Sequence, residues 1–415
     1  MKKFVSPSKI KGSLKAPASK SAMQRAIAAA LLSKGESLIT NPTFCDDSIS
    51  AMRVAQGLGA KITKKSDYVS IYGGLNPQEE ILNCGESGLC IRMFTPIAAL
   101  TGKRLILTGE RSLMERPVSS IEESIKALGA NIKSNNSKLP IEVWGTLKGG
   151  TVTVDGSISS QFITGLLMAL PKCSEDSTLY VKNLKSAQYV DLTIEILKNF
   201  GVLIEKENHE KFTIKGNQEF VPGIINIEGD WSGAAFLLCA GAIAGEITVH
   251  GIAEESTQPD RAIITALKKA RANLHINGDC IHVSRSELKG FEFDASDCPD
   301  LFPPLAALAL YCKGETILHG TDRLTHKESN RAMTIKSELE KLGARVRLFG
   351  DSMIIESSEI SGGEVDSHGD HRIAMACAIA ALGATSPVVI NNAECVSKSY
   401  SEFFEDLKLI GGQVR

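Results

Sequence analysis

Four segments of the chain gather side chains suited to holding small anions and moving protons on them. AlaProAlaSerLysSerAlaMetGlnArg sets Lys20, Ser21 and Arg25 just after Ser19, a residue type that caps helices. Ser21 and Arg25 are four apart and share a helix face. AsnCysGlyGluSerGlyLeuCysIleArg is a Gly-rich entry carrying Gly88, with Arg92 one turn later. GlySerIleSerSerGlnPhe offers the hydroxyls of Ser159 and Ser160 and the amide of Gln161, and SerHisGlyAspHisArg places Asp370, His371 and Arg372 ahead of a long apolar run. Cations at a helix N-terminus oppose the macrodipole, whose positive end lies there. Lys20 and Arg372 therefore lower stability unless an anion binds beside them, and the free N–H groups of the first turn add donors for it. One first-turn lysine is commonly just solvated. Recurrence before several apolar helices points to convergent anion sites.

Further chemistry sits in less regular segments. Arg116 precedes Pro117, and Pro opens helices at their first position. HisLysGluSerAsnArg groups Lys327, Glu328 and Arg331 within one expected helical turn. There Lys327 and Arg331 repel unless each has an anionic partner; a solvated helix start is the alternative. Asp300 in AspCysProAsp stands before an apolar run, and Lys398 lies in the polar stretch SerLysSerTyrSer.

The elements that must position these residues repeat. A helix end, a Gly-like stop and a β-branched strand start recur at Gly59, Gly129, Gly201, Arg271, Gly343 and Gly411, with Gly in the role of the left-handed residue that ends a helix. Apolar helices open in the same step near Lys20, Ser87, Ser160, Ser232, Asp300 and Asp370. Several are apolar on nearly every face and must be enclosed. The segments from Val118 and Ser337 are amphipathic and suit a sheet face, and ThrValThrVal from Thr151 reads as a strand. The expected class is α/β: six similar units with mixed sheets around buried central helices, three units on either side of a boundary near Pro222-Gly223. A solenoid is the competing arrangement of such repeats.

Composition sets outer limits. The chain has 415 residues, 43% of them apolar, 23% charged and 5% aromatic, which supports a large aliphatic core. Lys plus Arg number 46 against 48 Asp plus Glu, which argues against a broad basic face for nucleic acid or anionic membrane. Met1-Lys2-Lys3 is followed by Ser6, Pro7 and Ser8 instead of an apolar stretch, so no export signal is expected. The run Ile373 to Ile390 is broken by Gly383 and Pro387 and reads as a buried helix followed by a strand, not a membrane span. Ten cysteines show no CxxC pair or zinc-like spacing, which suits reduced core thiols of a cytoplasmic protein that holds no metal.

ProAlaSerLysSer with Arg25, AspGlySerIleSerSerGlnPhe, LysGluSerAsnArg and GlyAspHisArg, in this order and spacing, resemble the EPSP synthase family of 3-phosphoshikimate 1-carboxyvinyltransferases from Pro17 to Lys398. The resemblance implies an inverse α/β barrel fold: two lobes of three units closing over the substrates. Residues 18–228 form the first lobe; residues 1–17 and 229–415 form the second, so the chain crosses between them twice. The implied reaction moves the enolpyruvyl group of phosphoenolpyruvate onto the 5-hydroxyl of shikimate 3-phosphate, releasing phosphate, in a monomer without cofactor. Each substrate carries a phosphate and a carboxylate, and arginine suits such groups. By resemblance, Lys20, Gly88, Arg116, Gln161, Arg331, Arg372 and Lys398 contact phosphoenolpyruvate. Lys20, Ser21, Arg25, Ser159, Ser160, Gln161, Ser186, Asp300 and Lys327 contact shikimate 3-phosphate. Asp300 resembles the base for the hydroxyl, Glu328 and Lys20 move the proton at C3, and Lys398 assists phosphate departure. Asp46, Asp47 and Asp230 match acidic positions of the family expected to have structural roles.

Two positions depart from the family pattern. Glu86 and Gly88-Leu89 replace the usual Asn and Gly-Thr, which bears on local phosphoenolpyruvate contacts and on glyphosate response. Arg323 replaces a frequent Asn, and either strengthens phosphate binding or faces water. The related UDP-N-acetylglucosamine enolpyruvyl transferases typically carry a reactive Cys before an Arg-Pro-Val motif, and residues 101–117 contain none. An RNA-binding or RNA-end-processing protein of similar units would need a basic patch and aromatic platforms, against balanced charge and two Trp. A pseudoenzyme is disfavoured by the retained acid, base and cation candidates.

Overall fold

The computed structural model describes residues 1–118, 120–157 and 159–415. They divide into two compact units, residues 18–227 and residues 1–17 with 228–415.

The unit of residues 18–227 is built on three helices, Lys20–Leu32, Gly88–Ala99 and Ser160–Ala169. Each is buried nearly all round, as all-apolar helices require. The cap of each is a serine, of which Ser19 is the one expected from the sequence: the hydroxyls of Ser19, Ser87 and Ser159 accept from the N–H groups of Ala22, Cys90 and Gln161. Three four-stranded sheets surround them. In each, an edge strand runs parallel to the second strand and an antiparallel pair follows: Gly150–Asp155 beside Ser177–Lys182, then Lys211–Ile214 and Ile204–Glu207. In one of these sheets the edge strand is Ile224–Asn226, which lies parallel to Glu36–Thr40 from far earlier in the chain.

The unit of residues 1–17 and 228–415 repeats the scheme. Its buried helices are Trp231–Ala244, Phe302–Ala309 and His371–Leu382, and Phe236, Leu237, Leu305 and Ile379 on them have no exposed surface. Burying each such side chain contributes about 1.5–3 kcal/mol. The N-terminal segment enters two of its sheets: Ile10–Lys15 pairs with Gly245–His250, and Lys3–Ser6 lies between Val388–Asn391 and Gln413–Val414.

All six repeat stops adopt the left-handed backbone, from φ +60° at Arg271 to +118° at Gly59. At each, the stop N–H and the next N–H turn back onto the helix end; Gly201 N–H reaches the Lys198 carbonyl and Val202 N–H that of Leu197. Arg271 keeps this geometry without being glycine: its N–H reaches Lys268 and that of Ala272 reaches Leu267. Among the described residues no helix is long and apolar enough to cross a membrane.

Candidate active site

In the unit of residues 18–227, Lys20 opens its helix with its ammonium 3.0 Å from Asp47 Oδ2. Asp47, read from sequence as structural, thus pairs with a candidate catalytic lysine. Arg25, one turn on and 1% exposed, donates to Thr193 Oγ1 at 2.9 Å, the Ser21 carbonyl at 2.8 Å, Thr164 Oγ1 at 3.2 Å and the Tyr189 carbonyl at 3.2 Å. All these partners are neutral. Burial pushes Arg25 down to about 10, with Tyr189 opposing, so a positive group is held ready beside the same helix start that carries Lys20. Ser21 therefore serves Arg25 through its carbonyl.

A second knot joins Gly88, Arg116 and Gln161. Arg92 donates to the Gly88 carbonyl at 3.1 Å, to Gln161 Oε1 at 3.0 Å and to the Pro117 carbonyl at 3.1 Å. A Cβ on Gly88 would stand 2.9 Å from Arg92 Nη1 and 3.0 Å from Arg116 Nη1, so glycine makes room here for guanidinium groups. The expected helix start at Pro117 is corrected: the helix is Ser120–Ala127. Ser159 caps the helix whose first two residues are Ser160 and Gln161. Ser186 is buried with φ +54°. Leu89 is buried in the apolar core, while Glu86 accepts from Arg111 and Ser112, each at 3.3 Å.

The unit of residues 1–17 and 228–415 concentrates charge more heavily. Arg331, with no exposed side-chain surface, donates through Nε to Asp370 Oδ2 at 3.0 Å, through Nη1 to Asp300 Oδ1 at 2.9 Å and through Nη2 to Glu328 Oε2 at 2.6 Å. Arg372 Nη2 reaches the other Asp300 oxygen at 3.0 Å, Lys327 Nζ stands 3.6 Å from Asp300 Oδ1, and Lys398 Nζ stands 4.0 Å from Glu328 Oε1. Burial would raise Asp300, but Arg372, Lys327 and Arg331 outweigh it and hold the carboxyl well below its ordinary range. Asp370 caps the His371–Leu382 helix through Arg372 N–H at 3.0 Å.

The Lys327 segment corrects the expected helix start. The helix begins at Arg331, capped by Asn330, whose side chain accepts from Met333 N–H; Lys327 and Glu328 lie in the turn before it. Lys327 and Arg331 share Asp300, which accepts from Arg331 at 2.9 Å and pairs with the Lys327 ammonium at 3.6 Å. Sequence reasoning also missed Asp260, which is buried and accepts from Ser232 Oγ. Burial, reinforced by the Asp300 charge and opposed by Arg372 and Ser232, pushes it up to about 7. Arg323 does not simply face water: it is half-buried, and burial lowers it against the raising effect of Asp297.

Each unit therefore brings together cations with carboxylates or hydroxyls able to exchange protons, an arrangement suited to binding phosphate and carboxylate groups and to acid–base work on them. A family pattern for EPSP synthase (3-phosphoshikimate 1-carboxyvinyltransferase) matches residues 5–407. Among curated proteins, the chain is 42% identical over 414 residues to the 3-phosphoshikimate 1-carboxyvinyltransferase of Clostridium kluyveri, covering 99% of this chain and 97% of that protein. It is 39% identical over 424 residues to that of Clostridioides difficile, covering 98% and 97%. Among solved structures, EPSP synthase from Acinetobacter baumannii superposes with a TM-score of 0.84 at 26% identity over 100% of both chains. An enolpyruvyl transferase from Streptomyces tendae shares the fold, with a TM-score of 0.82 at 17% identity, over 100% of this chain and 98% of that one. Matched across nearly its whole length by pattern, sequence and structure, the chain belongs to the EPSP synthase family.

Proposed function

We propose that this chain transfers the enolpyruvyl group of phosphoenolpyruvate to the 5-hydroxyl of shikimate 3-phosphate by addition and elimination, releasing phosphate. The observation that carries the assignment of roles is Asp300, a carboxylate kept ionised by two arginines and a lysine. With the cluster as it stands, that carboxylate is a weak base, because the cations favour its charged form. When the phosphate and carboxylate of phosphoenolpyruvate engage Arg331, Arg372 and Lys398, their negative charge offsets the cations, and Asp300 gains the basicity needed to accept the hydroxyl proton.

The remaining roles are those the family resemblance implies, and the chemistry at each position supports them. Glu328, held by Arg331, and Lys20, held by Asp47, are the proton carriers for C3. Arg116, beside Gly88, and Gln161, oriented by Arg92, complete the phosphoenolpyruvate set. Lys398 neutralises the departing phosphate. Ser21, Arg25, Ser159, Ser160, Ser186 and Lys327 hold shikimate 3-phosphate, with the buried Arg25 as a fixed positive pole.

The test is phosphate release from phosphoenolpyruvate with two acceptors in parallel. Shikimate 3-phosphate should support turnover and UDP-N-acetylglucosamine should not. The reverse preference would overturn the acceptor assignment.

A further inference from the structure

One buried carboxylate outside these roles ties the site's framework together. Glu338 is 1% exposed and lies seven residues after Arg331 on the Arg331–Lys341 helix. Seven residues are close to two turns, so the two side chains leave the same helix face. Both face the segment that leads into the His371–Leu382 helix. Arg331 meets Asp370 at one end of this seam. At the other, Glu338 Oε2 accepts from Asp366 N–H at 2.8 Å and Oε1 lies 2.9 Å from His368 Nε2. Lys341 donates to both oxygens, at 2.8 and 2.7 Å. Burial raises Glu338, but hydrogen bonds from Lys341, Asp366, His368 and Ser337 outweigh it and bring it down to about 2.

The segment held this way also carries bonds of its own: Asp366 Oδ1 accepts from His368 N–H at 2.6 Å and Ser367 Oγ from Gly369 N–H at 3.1 Å. His368 and Gly369 both have left-handed backbones, φ +53° and +71°, a conformation that side-chain-bearing residues adopt only when their surroundings enforce it. Three residues later comes Arg372. The same segment reaches the turn that ends in Lys398: Asn392 Nδ2 donates to Asp366 Oδ1 and Oδ2 at 3.1 and 2.9 Å, and Ser367 Oγ donates to the Asn392 carbonyl at 3.0 Å. Glu338 thus joins the helix that carries Arg331 to the segment that carries Arg372, and that segment in turn holds the turn that carries Lys398 through Asp366 and Ser367.

We propose that Glu338 is a positioning residue that fixes the Asp366–Arg372 segment against the Arg331 helix, and thereby sets the spacing of Arg331, Arg372 and Lys398. The activity arm of its test rests on the function proposed above; the exchange arm does not. Glu338→Gln keeps the shape but removes the charge that accepts from Asp366 N–H, His368 and Lys341. Hydrogen exchange of the amides of residues 366–372 should quicken at least tenfold. In steady-state assays KM for phosphoenolpyruvate should rise at least fivefold, with binding of shikimate 3-phosphate alone changed less than twofold. Glu338→Asp should fall between the two, and Glu340→Gln, on an exposed pair with Lys336, should match the parent. Should Glu338→Gln fail to fold, His368→Gln leaves Lys341 on the carboxylate and should quicken exchange at the same amides. Unchanged exchange in 366–372, or a loss of kcat with KM unchanged and in proportion to unfolded protein, would overturn the positioning role. A parent chain inactive with these substrates would instead overturn the proposed function, with the exchange result still deciding on Glu338.

Discussion

Replacing Arg331 with Met removes a buried cation from between three carboxylates. The contacts are 3.0, 2.9 and 2.6 Å long, and exposure of the partners is 0% for Asp370, 11% for Glu328 and 21% for Asp300. At ~3 Å and an effective dielectric near ~20, each contact carries about 5 kcal/mol of attraction before desolvation is counted. Most of that is offset by the cost of burying the charges, yet removing one member alone leaves the others uncompensated, at a net loss of about 3–5 kcal/mol. Asp370 should account for most of it, since water can relax around the other two. Urea unfolding followed by the fluorescence of Trp231, buried in this unit, in a Trp144→Phe background reports the loss directly. With a slope of about 3 kcal/mol per M, the midpoint should fall by about 1–2 M. Adding Asp370→Asn, which keeps an oxygen to cap the His371–Leu382 helix, should recover about 1 kcal/mol or more by removing the stranded charge. A midpoint shift under about 0.3 M, or a double variant less stable than Arg331→Met, would refute the reasoning.

Asp260, pushed up to about 7 mainly by burial, stays protonated in the folded chain while the unfolded chain ionises above about pH 4, so it makes stability decline as pH rises from about 4 to 7. Asp300, held low by its cations against burial, works the other way, giving stability above about pH 4 that is lost in more acidic solution. Asp260→Asn should flatten the pH 4–7 decline in urea midpoint, and parallel profiles for both proteins would exclude this role. Lys20→Met should keep the circular dichroism of the parent and lower kcat by about 10²–10⁴-fold in the phosphate-release assay; near-normal turnover would remove Lys20 from the chemistry. Gly88→Ala drives a methyl against Arg92 and Arg116, so KM for phosphoenolpyruvate should rise several-fold while the melting temperature changes little; an unchanged KM would detach Gly88 from the site. Arg271→Gly relieves a left-handed residue that is exposed and should stabilise by about 0.5–1 kcal/mol in urea unfolding; destabilisation would show that the side chain matters more than the backbone.

The repeat and the helix starts were legible because they are local. Ser19, Ser159 and Asp370 each announce a cap within two or three residues of the N–H they satisfy, and the six stops share one backbone requirement. Arg271 shows that the pattern outlasts its best residue. The Lys327 turn was misread as helix because Asn330, an equally good cap, sits later in the same polar segment and starts the helix at Arg331. What sequence could not supply was the neutralising charge. Asp47 lies on the helix after that of Lys20, and Asp260 meets Ser232 across 28 residues. Cations at helix starts imply an anion, but chain spacing alone does not say whether a ligand or a distant carboxylate provides it.

The strand formed by Lys3–Ser6 has a consequence for biosynthesis. Val5 pairs with both Val388 and Val414, and Phe4 exchanges backbone hydrogen bonds with Arg415. Residues 3–6 leave the ribosome long before residues 388–390 and 413–415, with which they pair, and so are among the last to find their place. Residues 18–227 can fold as soon as they emerge, while the leading segment must wait, unpaired, for nearly 400 more residues to be made. Its polar and charged residues, Lys2, Lys3, Ser6, Ser8, Lys9 and Lys11, suit that interval, since an apolar strand left open so long would invite pairing with other chains. Placing residues 1–17 behind a short linker after Arg415 would let each unit be completed in the order it is synthesised.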